Sequence, residues 1–395
     1  MTVLPPLAVY VHVPWCVRKC PYCDFNSHAY SGELPEAQWL ERIKDDLLEA
    51  LAGSSGRPIV SVFFGGGTPS LLSPATVVAT LELLANHLKL ANDVEITLEA
   101  NPGTVDAARF RGFRAAGVNR LSLGVQSFSD RALAALGRIH GGDEARTAVA
   151  AARSAGFERI NLDLMHGLPG QTSAEALADL AQAIALGVDH LSWYQLTIEA
   201  NTEFHARPPR LPEEAVLAEI ENRGSEQLAA AGFERYEVSA WAKPDQSCRH
   251  NLNYWTFGDY LGLGPGAHGK CSRRTADGGL EVVRTRHTRS PRDWLRSRPG
   301  ARARREPVAP AMLPEEFMLN ALRLIDGVEA SLFEARTGLP LAAIEAELAA
   351  LREEGLLQPD RLATTDLGLR FLDRVVSRFL DPAEQPDSRM IQTRR

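Results

Sequence analysis

Three of the five cysteines in the sequence stand close together, in the segment CVRKCPYC. Cys16, Cys20 and Cys23 have the spacing C-x-x-x-C-x-x-C and directly follow a run of β-branched residues. Three thiolates can hold three irons of a 4Fe-4S cubane, and no fourth cysteine follows nearby to bind the last iron. The spacing therefore predicts a cluster whose fourth iron is open to an exchangeable ligand.

A zinc site is the alternative that the three cysteines alone permit. His12 or His28 would complete it, because zinc takes four nitrogen or sulfur ligands. A disulfide framework is disfavoured, since cysteines crowded together in a cytosolic chain favour a metal or cluster. Cys248 and Cys271 stand apart from the group, and an isolated cysteine is more often simply buried.

The elements that must position these cysteines alternate between strand and helix. Six β-branched or aliphatic runs predict strands: LAVYVHV from Leu7, IVSVFF from Ile59, VEITLE from Val94, RLSLGV from Arg120, RINLDL from Arg159 and HLSWYQL from His190. Segments rich in Ala, Leu and Glu follow them, at Glu36 to Leu51, Pro74 to Leu90, Val105 to Ala116, Asp143 to Ala155 and Ser173 to Leu186. This alternation predicts an α/β fold with a parallel sheet, either a three-quarter barrel or an open doubly wound sheet.

Polar or glycine residues occupy the ends of successive predicted strands, where parallel α/β proteins bind their ligands. The second strand ends in GGGTPS, whose glycines allow backbone amides to approach a ligand closely. Glu99, Gln126 and Asp163 end the third, fourth and fifth strands. Each alone is explained equally well as a helix cap or loop residue, but their agreement at consecutive strand ends predicts a binding site.

The remainder of the chain differs in composition. A helix near 212–231 and a strand from Phe233 are expected to extend the sheet. Between Lys270 and Arg305 there are twelve basic and three acidic residues, and the stretch from Gly269 to Pro310 is predicted to be a boundary or long loop. Beyond it, the helices predicted at 314–324, 330–337, 341–354 and 367–380, with short strands near Leu356 and Leu362, indicate a winged-helix-like domain. The predicted division is 1–240 for the barrel core, 241–310 for an extension, 311–380 for the C-terminal domain and 381–395 for a flexible tail.

Charge and hydropathy exclude several classes of protein. The net charge of −7 argues against general nucleic-acid binding, and the C-terminal domain has twelve acidic and seven basic residues, which disfavours duplex binding. No apolar run of 18 residues predicts a membrane span, and the first residues lack the pattern of a signal peptide. The cytoplasm is the expected compartment.

Taken together, the motifs resemble one protein family over nearly the whole chain. CVRKCPYC, GGGTPS, LEANP, GVQSF and DLMHGLPGQT resemble the radical S-adenosylmethionine (SAM) proteins, in the branch that contains oxygen-independent coproporphyrinogen III oxidase and haem chaperones of the HemW type. The resemblance implies an incomplete (β/α)6 barrel in which Cys16, Cys20 and Cys23 ligate the 4Fe-4S cluster and SAM chelates the open iron. Positions that match the family's SAM contacts are Tyr10, Tyr22, Gly66, Gly67, Thr68, Glu99, Gln126, Arg138, Asp163 and Thr197.

Within the resemblance, residue types suggest individual pairings. Glu99 would accept hydrogen bonds from the ammonium of SAM, and Arg138 would pair with its carboxylate. Asp163 would bind the ribose hydroxyls. In the family, one electron from the reduced cluster cleaves the sulfonium, so the cofactor performs the difficult step and the protein positions it.

Two departures separate the sequence from the oxidase. Phe25 stands where the oxidase has a further cysteine, and only nine residues precede Tyr10. In addition, HNLNYW, from His250 to Trp255, matches the HNxxYW motif of the haem chaperones, so that His250 is expected to bind haem. Without the family match, the favoured interpretation would be that His250 caps a turn and the aromatic residues fill a core.

The resemblance thus implies a haem chaperone that hands haem to an acceptor protein, such as a membrane-associated respiratory component. Coproporphyrinogen oxidase, or a radical SAM enzyme acting on another substrate, is the alternative. Cys248 could offer a further thiolate, and His268, in LGLGPGAHG, a second iron ligand. The Arg-rich stretch could steer haem propionates or an acidic acceptor, although a solvated linker is its simpler interpretation.

Overall fold

The computed structural model describes residues 4–380, so the predicted tail 381–395 lies outside the described residues. The strands are β1 (Leu7–Val13), β2 (Trp15–Cys16), β3 (His28–Ala29), β4 (Ile59–Gly66), β5 (Leu90–Ala100), β6 (Arg120–Gln126), β7 (Arg159–His166), β8 (His190–Gln195), β9 (Glu234–Glu237), β10 (Ala240–Ala242), β11 (Asp259–Leu263), β12 (His268–Arg274), β13 (Leu280–His287) and β14 (Ala303–Pro307). The six predicted strands are confirmed as β1, β4, β5, β6, β7 and β8.

Helices alternate with the central strands and dominate the end of the chain. They are α1 (Glu36–Ala50), α2 (Pro74–His87), α3 (Ala107–Ala115), α4 (Asp130–Ala135), α5 (Gly142–Ser154), α6 (Ser173–Ala185), α7 (Glu203–Ala206), α8 (Glu214–Ala230), α9 (Arg249–Trp255), α10 (Pro291–Arg296), α11 (Leu313–Ala321), α12 (Ala330–Thr337), α13 (Glu345–Glu353), α14 (Asp366–Arg370) and α15 (Leu372–Ser377). The predicted alternation of strand and helix is therefore confirmed.

One twelve-stranded sheet forms the centre of the fold, in the order β14-β13-β12-β11-β1-β4-β5-β6-β7-β8-β10-β9. The seven strands from β11 to β8 are parallel, and antiparallel strands flank them on both sides. Six of the seven residues of β1 are buried, as expected for a parallel strand covered on both faces. The carboxyl ends of the parallel strands therefore meet at one edge of the sheet.

Local sequence explains where the covering helices begin. The Ser73 side chain accepts a hydrogen bond from the Thr76 amide at the start of α2, and Pro74 supplies the first helical residue. Thr172 and Glu175 form a capping box at the start of α6. These caps fix the start of each helix just after the loop that leaves the preceding strand.

The Arg-rich stretch is not the long loop that its composition predicted. It contains β12, β13, α10 and β14, and the seventh parallel strand, β11, precedes it. Its arginines are held by acidic residues from distant parts of the chain: Arg302 contacts Asp45 and Asp46, and Arg284 contacts Glu316. Because these partners are far away in sequence, local composition could not reveal the fold of this stretch.

A second hydrophobic core organises the C-terminal helices around the fully buried Phe317 and Phe333. The predicted helical unit is confirmed, but the short strands expected near Leu356 and Leu362 are only isolated bridges, and the last predicted helix is divided at Phe371 into α14 and α15. Phe257, which follows α9, packs edge-on against Phe317 with 5.7 Å between ring centroids. The divisions proposed at residues 240 and 310 stay predictions.

Candidate functional site

The loop after β1 carries the three cysteines and is closed by a short parallel pairing of β2 with β3. All three thiols are free, and each contacts a different polar group. The Thr68 hydroxyl donates to Cys16 Sγ (3.4 Å), Arg138 Nη1 donates to Cys20 Sγ (3.7 Å), and Cys23 Sγ lies 3.5 Å from the Ser27 hydroxyl. Burial raises the pKa of Cys16, and the Thr68 hydroxyl partly offsets that rise.

The three cysteines line one cleft of about 320 Å³ at the carboxyl ends of the parallel strands. We call this the cluster cleft. The predicted site residues that line it are Cys16, Tyr22, Cys20, Cys23, Gly66, Gly67, Thr68, Glu99, Gln126, Arg138 and Asp163. Eleven side chains and glycines chosen from sequence therefore meet at one place. The roles assigned to them individually remain predictions.

Glycines form one wall of the cluster cleft because the backbone there leaves no room for side chains. Gly66 has a φ of +114°, and a Cβ on it would lie 2.5 Å from His12 Cε1. A Cβ on Gly67 would lie 2.6 Å from the Trp15 carbonyl oxygen. The Gly66 amide donates to Glu99 Oε2 (3.1 Å), which fixes that carboxylate at the end of β5.

Two carboxylates face the cluster cleft in an environment that disfavours their charge. Burial and the nearby Asp163 raise the pKa of Glu99 to about 8. Burial also raises the pKa of Asp163, although hydrogen bonds from Asn161, Ser192 and Ser122 oppose the rise. The Ser122 hydroxyl donates to Asp163 Oδ2 (3.1 Å), and Asn161 Nδ2 donates to Oδ1 (2.8 Å). A cationic ligand would stabilise the ionised forms of both groups.

Arg138 supplies a buried positive charge to the cluster cleft, which the exposed Arg18 also lines. Arg138 Nη2 donates to the Gly124 carbonyl oxygen (2.6 Å), its Nη1 reaches Cys20, and its buried Nε has no hydrogen-bond partner in the described part of the chain. Burial lowers the pKa of Arg138, but Tyr22 and Cys20 raise it by more. A guanidinium held in this way suits a carboxylate group of a ligand.

The arrangement fits a cluster better than a single metal ion. Among residues 4–380, no group of three or more His, Cys, Asp or Glu side chains is arranged to hold one ion. The three thiols instead face a cleft that also offers carboxylates, a guanidinium and glycine amides. This set of groups matches an iron-sulfur cubane beside an amino-acid sulfonium ligand.

Comparisons with known proteins agree with this geometry. The sequence pattern of the Radical SAM superfamily matches residues 10–183, and that of the HemN C-terminal domain matches residues 308–371. The chain is 48% identical to the haem chaperone HemW of Escherichia coli strain K12 over 96% of this chain and 100% of that one. It is 45% identical to HemW of Haemophilus influenzae over 96% and 99%. The chain belongs to the HemW family of radical SAM proteins.

A solved structure shows that the fold is shared more widely. Coproporphyrinogen III oxidase (HemN) from Escherichia coli superposes with a TM-score of 0.79 over 95% of this chain and 90% of that one, at 22% sequence identity. This likeness concerns the fold, and it confirms the predicted radical SAM architecture. Members of the radical SAM superfamily carry a 4Fe-4S cluster and SAM, and the cluster cleft provides the groups that these cofactors require.

In this HemW-family chain, a second cleft of about 570 Å³ adjoins the first. We call it the aromatic cleft, lined chiefly by Tyr10, Phe25, Tyr254, Tyr260, His268 and Arg289. Gly66 and Glu99 line both clefts, so the two spaces meet. The volume of the aromatic cleft lies within the range of about 300–1,000 Å³ that is usual for small-molecule sites.

Three predicted site residues lie outside the cluster cleft. Tyr10 lines the aromatic cleft instead. The Thr197 hydroxyl donates to Glu199 Oε1 (2.8 Å) in the loop after β8, so the structure does not bring it to either cleft. His250 is 5% exposed at the start of α9, where its Nδ1 lies 3.2 Å from the Ser61 hydroxyl and its ring stacks on Phe63. Burial lowers the pKa of His250 to about 3.

Sequence reasoning missed several residues of the cluster cleft. Ser122, Gly124 and Ser192 line the cleft from positions within their strands. Tyr194 also lines it, and its hydroxyl donates to Gln126 Oε1 (3.1 Å). Glu237 and Ser239 reach the cleft from the antiparallel hairpin beyond β8. The period-two pattern of β8 could have indicated that Ser192 and Tyr194 share a face. No comparable local signal marks Glu237.

The two cysteines outside the CVRKCPYC segment, Cys248 and Cys271, pack against other parts of the fold. Cys248 is buried, and its Sγ lies 3.4 Å from Glu95 Oε1, far from the cysteine loop in sequence. Cys271 packs against Gly53. Neither lines the cluster cleft.

Between residues 4 and 380, no helix is both long and apolar enough to cross a membrane.

Proposed function

We propose that this protein is a haem chaperone, which binds haem and passes it to an acceptor protein while carrying a 4Fe-4S cluster with SAM bound. The main support is that proteins named haem chaperone HemW align with this chain over almost their whole length at 36–48% identity. We further propose that it works in the cytoplasm and that its acceptor is a haem protein under assembly, such as a membrane-associated respiratory component.

The residues of the cluster cleft would hold the cofactors. Cys16, Cys20 and Cys23 would ligate three irons, and the Thr68 hydroxyl would donate to a cluster thiolate. A reduced cluster, when bound, can supply one electron to the sulfonium of SAM. Glu99 would accept from the SAM amino group and Arg138 would pair with its carboxylate.

The other end of SAM would be oriented by polar groups further along the strand ends. Asp163, held by Ser122 and Asn161, would accept from the ribose hydroxyls. Gln126, whose amide oxygen is held by Tyr194, would present its amide group to the same ligand. Tyr22, which lies between Cys20 and Cys23, would line the cleft beside these cysteines.

The aromatic cleft is the proposed place for haem. Tyr254 and Tyr260 offer ring surface to a flat macrocycle, their centroids being 4.2 Å apart. Arg289 lines the same cleft and offers a positive charge for a propionate. His250 does not itself line the cleft, but it packs edge-on against Tyr254, with 4.9 Å between centroids, and so supports a residue of its wall. Haem bound here would lie beside the cofactors in the cluster cleft.

The proposal is tested by two assays on protein reconstituted with iron and sulfide without air. Haem titration followed by absorbance, and transfer of the bound haem to apomyoglobin, should both succeed. Incubation with coproporphyrinogen III and SAM should leave the substrate unchanged by product analysis. Decarboxylated product without haem transfer would instead assign the chain to the oxidases.

The HNLNYW segment can be tested separately. His250→Ala is expected to weaken haem binding, because the imidazole supports Tyr254 and Tyr10, while the cluster absorbance is retained. Unchanged haem affinity in this variant would remove His250 from the haem site.

A further inference from the structure

The aromatic cleft contains few groups that could bind the iron of a haem. Three phenols line it, but burial raises the pKa of Tyr10, Tyr254 and Tyr260, so their phenolate forms are disfavoured. The Tyr10 hydroxyl is also engaged with His12, and the Tyr260 hydroxyl accepts from Arg284 (3.2 Å). Imidazole is the remaining protein ligand type that is suited to haem iron.

Two histidines line the aromatic cleft, and one of them is already occupied. His12 is 5% exposed, its Nδ1 lies 3.0 Å from the Tyr10 hydroxyl, and its Nε2 lies 2.9 Å from the Asn26 carbonyl oxygen. Both ring nitrogens of His12 are therefore used. His250 does not line the cleft, because Tyr10 and Tyr254 pack against its ring.

His268 differs from both. It is the first residue of β12, its side chain is exposed, and within residues 4–380 its ring forms no hydrogen bond. The turn before it is tightly fixed, since Gly264 and Gly266 have φ of +101° and +78° and a Cβ on Gly266 would lie 2.1 Å from Asn26 Nδ2. A free imidazole on a fixed strand start is well placed to accept a metal.

The surroundings of His268 suit the periphery of a haem. Arg286 is paired opposite His268 in the β12–β13 register, and Arg289 follows two residues beyond β13. Arg286 is held by Glu306 (2.9 Å), whereas Arg289 forms no ion pair among the described residues. The guanidinium of Arg289 is thus available to an anionic group, as haem propionates would require.

The geometry points to His268 as the residue whose imidazole would bind haem iron in the aromatic cleft, with Arg289 pairing with a propionate and His250 supporting the aromatic wall. This assignment rests on the proposed haem-chaperone function and names the iron ligand of that same site. The same assignment connects the haem site with the loop that carries the three cysteines. Asn26, three residues after Cys23, donates to the carbonyl oxygens of Pro265 (3.0 Å) and Arg289 (2.9 Å), on both sides of His268.

The test is a titration of reconstituted protein with ferric and ferrous haem, followed by absorbance, for wild type, His268→Ala, His250→Ala and Arg289→Ala. His87→Ala is the matched control, because His87 is exposed on the last turn of α2 and does not line the aromatic cleft. The cluster absorbance of each variant reports whether it folds. We expect His268→Ala to lose the spectrum of histidine-ligated haem and at least about tenfold in affinity.

Added imidazole distinguishes a ligand from a structural residue. It should restore the histidine-type spectrum in His268→Ala and change little in His250→Ala, which should bind more weakly but with the wild-type spectrum. Arg289→Ala should also keep that spectrum while losing affinity. A wild-type spectrum in His268→Ala, or loss of the histidine spectrum in His250→Ala with rescue by imidazole, would overturn the assignment. If wild-type protein binds no haem, the proposed function itself fails.

Discussion

Replacing Glu99 by Gln should stabilise the cofactor-free protein at alkaline pH. In the folded protein, burial and Asp163 raise the pKa of Glu99 from 4.5 to about 8. Because the folded pKa exceeds the unfolded one, the protonated carboxyl favours folding at acidic pH, and this contribution is lost as pH rises through about 8. The shift corresponds to a ceiling of about 5 kcal/mol, and because Glu99 is partly exposed to the cleft we expect about 1–2 kcal/mol.

The measurement is urea unfolding of cluster-free wild type and Glu99→Gln, followed by tryptophan fluorescence at several pH values. The free energy of unfolding of the variant relative to wild type should increase by about 1–2 kcal/mol between pH 5 and pH 9. In the reconstituted protein, the same variant should bind SAM more weakly. These two effects together would show that the carboxylate is retained for binding and not for stability.

Glu95→Gln is the matched control, four residues earlier on β5. Burial raises the pKa of Glu95, but Arg120 and Arg159 and two backbone amides lower it by more. Its oxygen lies 2.9 Å from Arg159 Nη1, so neutralising it should destabilise the fold by about 3–5 kcal/mol at neutral pH. A destabilised Glu99→Gln, or one with the wild-type dependence of stability on pH, would refute the account of Glu99.

Three further substitutions test other parts of the structure. Gly66→Ala should lower the free energy of unfolding in urea by about 1–3 kcal/mol and abolish SAM binding. The added Cβ would lie 2.5 Å from His12 Cε1, and the φ of residue 66 is +114°. Normal SAM affinity in this variant would contradict the prediction. Asp259→Ala should cost about 3–5 kcal/mol in the same assay, since it leaves the buried Lys270 without its 2.9 Å partner; a loss below about 1 kcal/mol would be evidence against that role. Arg138→Lys should weaken SAM binding about tenfold in equilibrium dialysis with normal cluster absorbance, because an ammonium does not reproduce the planar guanidinium; equal affinity would exclude the carboxylate pairing.

Most of the parallel core could be predicted from the sequence. The runs from Leu7, Ile59, Arg120 and Arg159 are short, β-branched and separated by helical segments, and each begins a strand at the predicted residue. Because parallel strands present their carboxyl ends at one edge, residues such as Glu99 and Asp163 necessarily meet there. Knowledge of strand direction was therefore sufficient to assemble most of the cluster cleft.

The parts that could not be predicted depend on contacts between distant residues. Strand β11 pairs with β1 in the register Leu7 to Asp259, and nothing near Asp259 indicates that partner. The Arg-rich stretch folds because Arg302 and Arg284 meet carboxylates from α1 and α11, which local charge counts cannot show. Strand direction alone was not sufficient for Thr197, which lies two residues after β8 but donates its hydroxyl to Glu199 in the loop; its role stays a prediction.

Burial also separates the two histidines that the sequence offered as haem ligands, His250 first and His268 second. HNLNYW and LGLGPGAHG each contain one histidine among aromatic or glycine residues. The first belongs to a helix whose start is fixed by Glu95, because the amide of His250 donates to Oε1 (3.2 Å), and its ring is buried. The second starts a strand beside an open cleft. The packing of α9 against β4, which buries the ring of His250, could not be predicted from the motif.

Electron paramagnetic resonance of the reduced, anaerobically reconstituted protein tests the central claim most directly, namely that three thiolates hold a 4Fe-4S cluster with one iron open to SAM. The account predicts about four irons and four sulfides per chain and a reduced-cluster signal that changes when SAM is added. Replacement of Cys16, Cys20 and Cys23 by Ala should remove the cluster. Bound zinc without sulfide, or a cluster signal that SAM leaves unchanged, would contradict the account.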